Sequence, residues 1–99
     1  MENINVVGRP ATREAAYALI DGERDYQELR ENLKGWQKNK TVGEWIVLLH
    51  HYTTLLDAVW STSTGDMESL AIVRKIAGIA VHCIEEHGAP ARDLKDVDK

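Results

Sequence analysis

The stretch from Leu70 to Ile84 has Arg74, Lys75 and His82 as its only polar side chains. A helix that is apolar on most of its circumference has to be covered on most of it, so this segment is expected to lie at the centre, with the rest of the chain around it. Its ends are equally legible. Asp66 is a good N-cap, Gly88 supplies a left-handed terminator and Pro90 forbids continuation. Helical spacing gathers Arg74, Lys75, Gly78, His82, Glu85 and Glu86 on one polar stripe.

Two further helices are predicted. From Thr12 to about Leu33, Ala16, Leu19, Ile20, Tyr26, Leu29 and Leu33 recur at separations near three and four, which makes an amphipathic helix with these residues on its core face. Gly22 interrupts that pattern and marks Asp21-Gly22 as a place for a kink or break. KGWQKNK, residues 34–40, reads as a loop. Thr41 and Glu44 form a capping box, and Trp45, Leu48, Leu49, Tyr52, Leu55, Leu56, Val59 and Trp60 then follow at helical spacing until STSTGD stops them. No strand alternation or internal repeat occurs. The fold class is all-α, a helical bundle of three long helices per chain. Residues 1–11 form an N-terminal arm, 12–91 the helical domain and 92–99 a mobile tail.

Ninety-nine residues make one small domain with a thin core, poor in aromatic residues: three Trp, three Tyr and no Phe. A chain this short buries well under ~70% of its unfolded surface. The expected remedy is an isologous homodimer or homotetramer that completes the bundle. Twelve Lys and Arg against sixteen Asp and Glu leave a net charge of -4, so general nucleic-acid binding is not expected. The lone Cys83, the absence of a leader pattern in MENINVVGRP and the lack of a long apolar run point to a cytoplasmic chain that uses no disulfide or membrane.

Chemistry has few footholds. His82 and Cys83 are helical neighbours pointing about 100° apart, which rules out a nucleophile and base pair, and Cys83 reads as a small buried hydrophobe. His50 and His51 are adjacent and His82 and His87 are five apart, neither being the spacing by which two imidazoles chelate one ion. Glu44 is used in capping, Asp57 stands alone, and Glu85 and Glu86 read as a solvated cluster. Arg74 and Lys75 are the most pointed feature, since cations on a largely buried helix need solvent, a carboxylate such as Asp57, or an anionic ligand. His51, Tyr52, Tyr26 and Trp36 are candidate donors and stacking faces for such a ligand.

ERDYQ at 23–27, Trp36, TVGEW at 41–45, VRKIAGIAV at 73–81 and EEHGAPAR at 85–92 together resemble small MazG-like proteins of bacteriophages, within the all-α nucleoside triphosphate pyrophosphatases. The likeness covers roughly residues 12–92. It implies a dimeric or tetrameric helical bundle whose active members hold magnesium through EExxE and a later ExxD and release pyrophosphate. The metal there neutralises the triphosphate and helps activate water. In this chain the EExxE positions fall on His51, Tyr52 and Leu55, and the ExxD positions on Ile72 and Lys75. The carboxylates are missing, and one cation stands in their place.

The leading expectation is therefore a noncatalytic MazG-like oligomer, without a cofactor, that binds or sequesters a nucleotide-type anion through Arg74, Lys75, His51, Tyr52, Tyr26 and Trp36. Capture of a signalling nucleotide in the host cytoplasm during infection would be its use against host defence. The alternatives are a protein-interaction module displaying Trp45 and Trp60, and a magnesium-dependent pyrophosphohydrolase with a rearranged metal site.

Overall fold

A computed structural model describes residues 9–35, 39–63 and 65–96. Most of the arm, Trp36 and the last three residues of the tail lie outside the described residues. Those described form three helices and no strand: α1 (Arg13–Lys34), α2 (Val42–Val59) and α3 (Gly65–His87), followed by a short 3-10 turn at Leu94–Asp96.

Local chemistry sets each boundary. Thr12 caps α1 by accepting from the Ala15 amide at 3.1 Å, and Gly35, at φ 68°, ends it in the left-handed region. Gly22 does not break α1, which is continuous through it. A residue-level cost of ~1 kcal/mol is too small to interrupt a helix of this length. The capping box forms as expected: the Thr41 amide donates to Glu44 Oε1 at 2.8 Å, and the Glu44 amide donates to Thr41 Oγ1 at 3.1 Å. Helix α3 starts at Gly65, so Asp66 belongs to the first turn and is not the N-cap. Gly65 is obligatory because a Cβ there would collide with the carbonyls of Val59 and Trp60. Gly88, at φ 71°, terminates α3, its amide donating to Ile84 O at 2.7 Å.

Helix α3 is central. Helices α1 and α2 both pack on it and not on one another. Trp45 of α2, fully buried, and Ile79 of α3, buried, form the apolar core among the described residues. The expectation for α1 is half met. Ala16, Leu19 and Ile20 are partly buried, but Tyr26, Leu29 and Leu33 are exposed, and the buried residues of this helix are Glu23 and Glu31. The reason lies across the interface, where α1 meets the polar stripe of α3 and therefore turns its own polar side inward.

That seam is a ladder of polar contacts. Arg74 Nε donates to Glu23 Oε1 at 2.9 Å, and Gln27 Nε2 bridges Glu23 Oε2 at 3.0 Å and the Lys75 carbonyl at 3.1 Å. Arg24 Nε donates to Glu85 Oε1 at 2.8 Å, and Glu31 Oε2 lies 3.7 Å from His82 Nδ1. Gly78 admits this close approach, since a Cβ there would sit 2.8 Å from Glu23 Cγ.

Candidate functional site: a cationic groove between splayed helices

Because α1 and α2 diverge over α3, a groove of about 390 Å³ opens between them. Gln27, Arg30 and Glu31 line it from α1, Lys40 from the residue preceding the α2 cap, Leu48 and Tyr52 from α2, and Lys75, Ile79 and His82 from α3. Arg30, Lys40 and Lys75 are its cations. Lys75 Nζ lies 5.0 Å from the centre of the Tyr52 ring, and Lys40 Nζ lies 4.9 Å from the centre of the Trp45 ring. Both distances are within the reach of a cation–π interaction.

One carboxylate outside the groove lining holds Lys40 and His82, which do line it. Glu86 Oε1 accepts from the Lys40 amide at 3.1 Å and from Trp45 Nε1 at 2.9 Å, while Glu86 Oε2 is 3.3 Å from His82 Nε2. The Lys40 carbonyl is in turn 2.7 Å from His87 Nε2, and the His82 ring packs edge-on to Trp45 with centroids 4.7 Å apart. Burial pushes the Glu86 carboxyl up, but the two N–H donors and the adjacent His82 and His87 outweigh it and hold the group below its ordinary value. Glu86 is thus a half-buried, fully engaged acceptor rather than a member of a solvated cluster, which corrects the sequence expectation. The signal lies in Trp45, an indole that must bury its N–H against some acceptor.

The residues singled out from sequence divide. Lys75 and Tyr52 come together in the groove. Arg74 does not join them; it points to α1 and is paired with Glu23, not with Asp57, which is exposed. His51 is exposed and touches the Tyr52 ring edge-on, with centroids 4.9 Å apart, without lining the groove. Tyr26 is exposed on α1 with the Arg30 guanidinium 5.8 Å above its ring, so it reaches the groove only through Arg30. Trp36 lies outside the described residues. Sequence reasoning missed Arg30 and Lys40, whose positions in charged stretches gave no periodic signal, and Glu31 and His82, whose burial depends on the α1–α3 seam.

Among the described residues, no three His, Cys, Asp or Glu side chains are grouped so as to hold a metal ion. The arrangement is instead one of cationic donors beside an aromatic face, the chemistry that receives a phosphate and a planar ring. No helix of the described chain is long and apolar enough to cross a membrane. Comparison with protein-family models, curated proteins and solved structures yields no match.

Proposed function

We propose that this chain is a noncatalytic MazG-like helical protein that works as a homo-oligomer in the host cytoplasm and binds a nucleotide-type anion in the groove. The observation that carries the reading is Lys75. It has no carboxylate partner among the described residues; its ammonium instead sits over Tyr52 in a groove that Arg30 and Lys40 also line. The groove volume falls within the ~300–1,000 Å³ of small-molecule sites. In the resemblance Tyr52 and Lys75 fall on opposite halves of one metal site; in this chain the Lys75 ammonium lies 5.0 Å from the Tyr52 ring centre.

With a cation and a phenol in place of two carboxylates, a phosphate meets the protein directly and magnesium has no cage. Binding is retained and family-type hydrolysis is lost. Calorimetry against nucleoside mono-, di- and triphosphates is expected to show binding that Lys75→Ala weakens at least tenfold. No heat with any of them would remove the reading. Magnesium-dependent pyrophosphate release abolished by Asp57→Ala would replace it with the enzyme reading.

A second reading, a module that docks on a host or phage protein, is favoured by Trp60, which is 64% exposed at the end of α2. An exposed Trp is the kind of anchor that dominates interface energetics. Trp45, the other candidate anchor, is buried and bonded to Glu86, so it is not available for docking.

A further inference from the structure

The seam holds one buried titratable group to which the ligand reading gives no role. His82 is 7% exposed, and each of its ring nitrogens faces a carboxylate: Nδ1 lies 3.7 Å from Glu31 Oε2, and Nε2 lies 3.3 Å from Glu86 Oε2. A neutral imidazole carries one N–H and one lone pair, so either tautomer turns a lone pair towards one of these anions. Only the doubly protonated ring presents a proton to both. Glu31 needs that charge most. It is 8% exposed, its Oε1 is buried without a hydrogen-bond partner, and its ion-pair partner is His82. Glu86, by contrast, also accepts from the Lys40 amide and the Trp45 indole.

We propose that a proton on His82 is a switch for the groove. Charged, the ring ties α1 and the residues ahead of α2 to α3; neutral, it leaves Glu31 as an uncompensated anion in the groove wall. The position gives the proton its leverage, because Glu31 and His82 both line the groove and Glu86 fixes the backbone of Lys40, which lines it too. When the ring loses its charge, the cluster keeps both negative charges in front of the cations that would receive a phosphate.

The groups around the ring come from every packed element. Helix α1 supplies Glu31 and Arg30, the residues ahead of α2 supply Lys40, and α3 supplies Lys75 and Glu86, with His87 4.0 Å from Glu86. Helix α2 brings the Trp45 ring, which does not titrate, and the Tyr52 phenol. Histidine is the side-chain type in this set whose charge ordinarily changes near neutral pH. Because folding is what brings the two carboxylates to the ring, the stabilisation is present while the ring is charged and is lost as pH rises. The effect on binding rests on the ligand reading; the proton site does not.

Nitrogen-15 NMR of the full chain is expected to show the His82 ring keeping its second proton to higher pH than the exposed His50 and His51, which serve as references in the same spectra. Between pH 6 and 8.5 the urea midpoint is expected to fall by roughly 0.5 M. Glu31→Gln, which no longer needs the charge, should halve that fall and be more stable than the parent at pH 8.5. Binding of the methyl ester of AMP, whose one charge is fixed over this range, should weaken at least about threefold from pH 6 to 8.5, and His82→Gln should abolish the difference. A His82 ring that loses its proton at or before His50 and His51, a midpoint that does not fall, a Glu31→Gln chain less stable than the parent at pH 8.5, or binding equal at both pH values would overturn the proposal. No binding at either pH would remove the ligand reading instead, and the spectra and urea midpoints of the unliganded chain would still decide the switch.

Discussion

At the scale of the residue, Glu86 joins three parts of the chain through one carboxylate. It belongs to α3, bonds the indole of α2 and fixes the backbone of Lys40 ahead of α2. Its carboxyl is held below the ordinary glutamate value of 4.5. A group with a depressed folded value stabilises the fold above its unfolded value, and that contribution is lost as pH falls through the folded value. Acid unfolding below about pH 4.5 is therefore expected to draw in part on Glu86. Glu86→Gln keeps an acceptor for Trp45 but removes the charge, so its stability should fall by about 1–2 kcal/mol at neutral pH and change less than the parent's between pH 5 and 3. Urea unfolding followed by Trp fluorescence at each pH measures both effects.

The residue scale also shows how much of the site was legible. Lys75 and Tyr52 were recognisable because a cation in an apolar helix and an aromatic hydroxyl at a core phase are each anomalous in their own neighbourhoods. Arg74 is equally anomalous, yet 100° of helix rotation sends it to Glu23. Which neighbouring helix receives which cation is a property of packing, and the sequence of α3 does not contain it.

At the scale of the element, the two glycines inside α1 and α3 make opposite demands. Gly22 is exposed in a continuous helix, and a Cβ there would meet nothing within 4 Å. Gly22→Ala is expected to raise stability by about 0.5–1 kcal/mol through the unfolded chain's lost freedom. Gly78 lies against the side chains of Glu23 and Gln27, so Gly78→Ala has to displace them and is expected to cost about 1–3 kcal/mol. Thermal melts of the two variants should move in opposite directions. A Gly78→Ala protein as stable as the parent would mean that the polar seam between α1 and α3 is not closely packed. Helix ends were legible for a related reason: the capping box at Thr41 and the αL glycine at Gly88 act within four residues of themselves.

At the scale of the whole molecule, the distribution of apolar surface is inverted relative to a self-sufficient bundle. Tyr26, Leu29 and Leu33 on α1, Ile46 and Val47 on α2, and Val73 and Ile84 on α3 all remain exposed. A chain that depends on association has a melting temperature that rises with its own concentration. A hundredfold increase in concentration is expected to raise the midpoint by several degrees, and a concentration-independent melt would count against assembly. Nucleotide at 100 times its dissociation constant should add a further ~2.7 kcal/mol if the groove binds it in the folded state alone.

By itself the sequence determined the helices, their limits apart from the start of α3, and the central place of α3, because capping and apolar periodicity are short-range properties written within one or two turns. Tertiary structure decided the direction each helix faces. The polar stripe of α3, readable as a solvated surface, is instead covered by α1, since an Arg, a Gly and a His in register accept Glu23, Gln27 and Glu31 more closely than they accept leucines. That choice turned Tyr26, Leu29 and Leu33 of α1 outward, opened the groove towards α2 and brought Arg30, Lys40 and Lys75 to it. It follows from the match between two helix surfaces, which neither surface specifies alone.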